Sequence, residues 1–254
     1  MAPARLAGFR VFLLAALLAW SPGLVRGARA VSYRNLEPGL DYGNLSPDAS
    51  TKVHLLKVDL KHFKVKVLDA RDWKSRTLPV KSFAEKSRAL AAINANFFDP
   101  QDQPLGLVLQ EGKLKSPPKK ISWWAALLLK GDRAAIEKAF EKDYVLNYEN
   151  GVQAGPRLVV GGRAPKLKEE FSPKSAIGVD RQGHLVFVVT QGSIEINQLA
   201  QLLAKKEKDG GVGLANALNL DGGSSAQFFA KVGDLDLSIP GFATVPIALG
   251  LFRK

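Results

Sequence analysis

Residues 176–190 read Ala176-Ile177-Gly178-Val179-Asp180-Arg181-Gln182-Gly183-His184-Leu185-Val186-Phe187-Val188-Val189-Thr190. Two apolar, β-branched runs flank a polar segment that carries a glycine. The pattern predicts a β-hairpin with buried arms, and hence an antiparallel sheet. Upstream, Leu158 to Val160 followed by Gly161-Gly162 reads as a strand and turn. Downstream, Ile196, Leu199, Ala200 and Leu203 fall at helical spacing, predicting an amphipathic helix over 196–208 stopped by Gly210-Gly211. Ala217 to Leu220 reads as a short strand and Val245 to Phe252 as a closing one.

Toward the N-terminus, Leu105 to Leu109, Glu111-Gly112 and Lys113-Leu114 suggest a second hairpin, and Trp123 to Leu129 a buried strand. Phe63, Val65 and Val67 alternate with Lys64 and Lys66, as in a half-buried strand. Ser82-Phe83-Ala84-Glu85 fits a capping box, so a short helix is expected to run to about Leu90. Ala134 to Tyr144 reads as another helix. Residues 31–51, rich in Pro, Gly, Asn and Ser, read as an irregular lead-in. The expectation is an α+β fold: a single domain over 31–254 with a mixed, largely antiparallel sheet and a few flanking helices. No linker divides it.

The chain has 254 residues, 46% of them hydrophobic, and no cysteine. This excludes disulfides, a thiol nucleophile and Cys-ligated metal. There are three histidines, His54, His62 and His184; all sit on Lys-rich or turn segments and read as surface groups. Neither a cofactor nor a metal is expected. The formal net charge is +12, but residues 1–30 hold Arg5, Arg10, Arg26 and Arg29 and no acid. A basic start, the apolar run Val11 to Trp20 and Ala28-Arg29-Ala30 have the layout of a secretory signal cut after Ala30. Removing it leaves 224 residues at a net charge of +8. A secreted or periplasmic bacterial protein is expected, without stable membrane insertion. Its basicity suits sugar phosphates or anionic glycans, and nucleic acid is not the expected partner.

Four segments carry the candidate chemistry. Leu220-Asp221-Gly222-Gly223-Ser224-Ser225 places a carboxylate at a strand end, beside glycines that let a ligand approach. Asn94 and Asn96, in Ile93-Asn94-Ala95-Asn96-Phe97-Phe98-Asp99, would face one side of a strand. Gln153-Ala154-Gly155-Pro156-Arg157 breaks helix and could present Gln153 or Arg157 to a cleft. Lys174-Ser175-Ala176-Ile177-Gly178 sets a cation before a buried strand. Three of them have a bland counterpart: a turn cap for Asp221, structural amides for Asn94 and Asn96, and a solvent-facing lysine for Lys174. No G-x-S-x-G, H-E-x-x-H or Walker sequence is present.

In chain order, Asn94-Ala95-Asn96-Phe97-Phe98, Gly155-Pro156-Arg157-Leu158-Val159, Lys174-Ser175-Ala176-Ile177-Gly178 and Leu220-Asp221-Gly222-Gly223-Ser224-Ser225, the four segments resemble the phosphodiester glycosidase family, over roughly residues 88–252. One departure is Lys174, where the family pattern usually has arginine. The resemblance implies an exported hydrolase that cleaves a sugar-1-phosphodiester at the anomeric carbon. It implies Asp221 as the carboxylate, with Asn94 and Lys174 completing the catalytic set. Lys174, and secondarily Arg157, would hold phosphate. Asn94, Asn96 and Gln153 would hold sugar hydroxyls. Gly222 and Gly223 would offer N–H groups, with Gly155 and Ser224 lining the site. Asp99 is the nearest candidate for a second carboxylate. Two rivals remain at this stage: a non-catalytic module binding anionic glycans such as exopolysaccharide, and an accessory envelope protein using the basic surface at Lys113, Lys115, Lys119 and Lys120.

Overall fold

The hairpin around Gly183 forms as expected. Ser175 to Val179 pair antiparallel with Val189 to Leu185. Asp180 Oδ1 accepts the N–H groups of Gln182 (2.8 Å) and His184 (2.9 Å). Gly183 takes φ +90°, the left-handed region that glycine enters without strain. This computed structural model describes residues 31–254, so the expected secretory segment lies outside the described residues.

In chain order the strands are β1 (Ser32–Glu37), β2 (Leu40–Leu45), β3 (Lys52–Val58), β4 (Phe63–Asp69), β5 (Ala91–Asn94), β6 (Val108–Gln110), β7 (Lys113–Ser116), β8 (Ala125–Lys130), β9 (Arg133–Glu137), β10 (Asn150–Ala154), β11 (Arg157–Val159), β12 (Phe171–Ser172), β13 (Ser175–Asp180), β14 (Leu185–Gln191), β15 (Ile194–Glu195), β16 (Leu214–Asn219), β17 (Phe228–Val232), β18 (Leu235–Ile239) and β19 (Ile247–Arg253). The helices are α1 (Val80–Ser87), α2 (Lys142–Val145) and α3 (Ile196–Ala204). A seven-stranded sheet runs β1-β2-β3-β14-β13-β16-β11. Two five-stranded sheets run β18-β17-β5-β19-β4 and β7-β6-β10-β8-β9, and β12 pairs with β15. Every pairing among the described residues is antiparallel, so the sheets are not mixed and dominate over helix.

One face of each large sheet lines a common core. Ile177, Phe187 and Leu218 enter it from the first sheet, Ile93, Leu249 and Phe228 from the second, and Leu127 and Val152 from the third. The opposite faces are covered too. The amphipathic stripe of α3 seals Val186, Val188 and Ala217, and α1 packs Val80 and Phe83 on Ala92 and Ala248. Strands buried on both faces read as continuous apolar runs, which is why β8 and β14 show no alternation.

Several elements differ from the sequence expectation. The lead-in contains the β1–β2 hairpin, closed by Gly39 at φ +82°. The stretch 134–144 is not one helix: β9 zips onto β8 and drops Ile136 into the core, and only the short α2 is helical. Tertiary pairing here outweighs a helix-forming composition. Helix α1 starts at Val80 behind Pro79, not at a Ser82 cap; Gln227 Oε1 accepts the Val80 N–H at 3.1 Å. Helix α3 ends at Ala204, with a separate short turn at Glu207–Asp209 before Gly210. Trp123 is exposed, and the buried strand starts at Ala125.

Candidate active site

The four segments meet where the ends of the three sheets come together. Asn94 closes β5 and is fully buried. Its Nδ2 donates to the Asp221 carbonyl (2.6 Å), and its Oδ1 accepts from Ser175 Oγ (2.7 Å) and the Gln227 N–H (3.0 Å). One amide thus ties β5 to the start of β13, to the loop after β16 and to the entry of β17. Asn94 therefore holds the Asp221 loop from behind and does not face a substrate directly.

Asn96 and Gln153 are buried supports as well. Asn96 Nδ2 donates to the Leu107 and Gln153 carbonyls at 2.9 and 3.0 Å. Gln153 Oε1 accepts the N–H groups of Leu107 (3.1 Å) and Lys119 (2.8 Å), and its Nε2 donates to the Lys119 carbonyl (2.7 Å). Hydroxyl recognition by Gln153 is thereby corrected, because the residue is fully buried and three backbone contacts from Leu107 and Lys119 hold its amide. Gly155 lies against Trp124: a Cβ there would stand 2.6 Å from Trp124 Cδ1, so no larger residue fits without moving the indole.

Lys174 is also placed differently from expectation. It is 1% exposed, and its Nζ donates to Glu170 Oε1 (2.5 Å) and Ser172 Oγ (2.9 Å). An ammonium already neutralised by a carboxylate is a poor phosphate clamp, so Lys174 acts on Glu170 instead. The N–H of Gly223 is likewise taken, by the Pro173 carbonyl at 2.9 Å. Ser224 is exposed, and its carbonyl accepts from Phe242 and Ala243. Arg157, at the edge of β11 and half-buried, enters no side-chain hydrogen bond or ion pair among the described residues.

Asp99 is a turn residue, since its Oδ1 accepts the N–H groups of Gln101 and Gln103 at 2.9 and 2.8 Å. A different acid, Glu170, bears on the Asp221 carboxyl. Burial pushes the Asp221 carboxyl up to about 6. Hydrogen bonds from Ser225 and the Gly222 N–H oppose that rise, and the negative charge of Glu170 adds to it. Glu170 itself is held below its ordinary range, chiefly by its hydrogen bond from Lys174. Two carboxyls in one neighbourhood are thus driven apart, the arrangement that separates a proton-carrying group from a permanently ionised one.

Sequence reading missed Glu170, Asn219 and Trp124. Glu170 sits in Lys168-Glu169-Glu170, which reads as a solvated charge run; its only signal was an acid four residues before Lys174. Asn219 donates to the Gly155 and Leu220 carbonyls. Asn219 Oδ1, Asn96 Oδ1 and Trp124 Nε1 are buried without partners around the 153–155 segment. His54, expected at the surface, is buried against the Tyr42 hydroxyl (2.7 Å) on the first sheet.

The model of the phosphodiester glycosidase family matches residues 87–252. Among solved structures, the catalytic domain of zebrafish N-acetylglucosamine-1-phosphodiester alpha-N-acetylglucosaminidase, auto-inhibited by its pro-peptide, aligns with TM-score 0.66 and 18% identity. That alignment covers 89% of this chain and 87% of the other. A hypothetical protein from Synechocystis aligns with TM-score 0.65 and 18% identity over 89% of this chain, which spans 64% of that one. A protein from Burkholderia pseudomallei aligns with TM-score 0.52 and 12% identity, covering 84% of this chain and 74% of the other. No curated protein matches the chain.

Proposed function

Because the chain belongs to the phosphodiester glycosidase family, we propose that it hydrolyses sugar-1-phosphodiesters, breaking the bond between the anomeric carbon and the phosphate oxygen. The observation that carries this reading is the pair of carboxyls with opposed proton affinities, Asp221 and Glu170. A phosphate monoester leaves readily without full protonation. The chain must then supply negative charge for an oxocarbenium-like sugar and a base for water. Glu170 meets Lys174 and Ser172 through Oε1 alone, and its Oε2 side supplies the charge. Asp221, with its pKa near neutrality, takes the proton from the attacking water. Arg157 is the cation left to meet the phosphate.

The test is hydrolysis of a sugar-1-phosphodiester in ¹⁸O-water. Label in the released sugar is expected; label in the phosphate means cleavage at phosphorus and defeats the proposal. The same assay gives the pH dependence. Asp221 works as a base only when ionised, so kcat/KM rises as pH increases through about 6. Glu170→Gln removes a negative charge that raises the Asp221 pKa. The rising limb should therefore move to lower pH, while the plateau falls with the loss of charge opposite the sugar. A limb that stays in place or moves up contradicts these roles.

A further inference from the structure

The segment Lys113-Leu114-Lys115-Ser116-Pro117-Pro118-Lys119-Lys120 holds four lysines and no acid, and all four are exposed. Lys115 faces Asp72 at 3.7 Å, while Lys113, Lys119 and Lys120 enter no ion pair among the described residues. The segment starts on β7, an edge strand of its sheet. From there it runs toward the carboxylates, because Gln153 grips Lys119 through both its N–H and its carbonyl. Asn96 bonds the Gln153 carbonyl, and the adjacent Ala95 carbonyl accepts the Asp221 N–H at 3.0 Å. Beyond Lys120, the exposed Trp123 leads into Trp124, whose ring lies on Gly155.

We propose that this lysine track is an extended subsite for a polymeric substrate, a glycan whose repeats are joined by phosphodiesters; the inference rests on the hydrolytic reading above. From Lys113 to Lys120 an extended chain covers about 20 Å, more than one sugar phosphate spans. Lys174 is consumed by Glu170, so cations for further phosphates must come from outside the centre. The unpaired lysines along this segment supply them, and the exposed Trp123 offers a ring face on which a sugar can stack. A membrane surface fits less well, since the track is strand and Pro-Pro loop and carries no amphipathic helix.

The test compares a synthetic hexamer of phosphodiester-linked hexosamine with its monomeric methyl phosphodiester, using wild type and the triple variant K113Q/K119Q/K120Q. The hexamer should lose about tenfold in kcat/KM in the variant, an effect that salt also produces in wild type, while the monomer changes less than twofold. Equal losses on both substrates, or none on either, overturn the proposal. If wild type cleaves neither, the hydrolytic reading fails by itself. Titration of tryptophan emission with the hexamer then decides the track: variant-sensitive binding supports it, and absence of binding overturns it. Equally tight, variant-sensitive binding to phosphatidylglycerol vesicles also overturns it, in favour of a lipid surface.

Discussion

Asp221→Asn should lower kcat on a sugar-1-phosphodiester by roughly 10²–10³-fold, the usual loss when one such group is removed from a transition state. KM should change little, because the substitution keeps the size of the group and alters only its ability to take a proton. The same variant should be more stable than wild type at neutral pH. The Asp221 pKa is raised by folding, so the folded protein binds a proton that the unfolded chain has already released between about pH 4 and 6. Stability from this group is therefore full below that window and declines as pH rises through it. Removing the charge should restore about 2 kcal/mol at pH 7–8, seen as a Tm increase of several degrees that vanishes below pH 4. Unchanged turnover would reduce Asp221 to a turn cap. A lowered Tm at pH 8 would mean that its hydrogen bonds from Ser225 and Gly222 outweigh the burial of its charge.

Asn94→Ala should be the most disruptive substitution in the site. It leaves the Ser175 hydroxyl, the Gln227 N–H and the Asp221 carbonyl without their buried partner at one stroke. Each such orphan costs about 1–3 kcal/mol, so a loss on the order of 4 kcal/mol or more is expected, a large part of the stability of a typical domain. Activity should fall with it, because the Asp221 loop loses its rear support. A urea titration at pH 7 measures the first effect. Activity assayed well below the unfolding midpoint separates the second. A variant as stable as wild type but inactive would reassign Asn94 to direct contact with substrate.

The central hairpin of the seven-stranded sheet could be read from the sequence because its signal is local, whereas β1 and β2 were hidden in a lead-in that reads as irregular. The 176–190 hairpin, the α3 stripe and the Asp221-Gly222-Gly223 turn each announce themselves within a few residues. What stayed hidden depends on partners far away in the chain. Ala134 to Glu137 has a composition that suits helix, and only the presence of β8 makes it a strand. Lys174 looks like a free cation until Glu170 is folded onto it. Asn94, Asn96 and Gln153 look like ligands for hydroxyls, but buried backbone groups claim most of their hydrogen bonds. Sequence places such amides in the right neighbourhood without saying which of their neighbours are backbone.

The reach of the Asn94 amide also dictates when in the life of the chain this chemistry can begin. Its partners lie 81, 127 and 133 residues further along. Closure over such separations comes late in folding, after local hairpins have formed. A nascent chain that has not yet released residue 227 lacks one of the three contacts, however well its earlier strands are paired. Hydrolytic activity is thus a completion signal: in refolding it should appear after the far-ultraviolet signal of the sheets has recovered, and chains truncated before Gln227 should be silent.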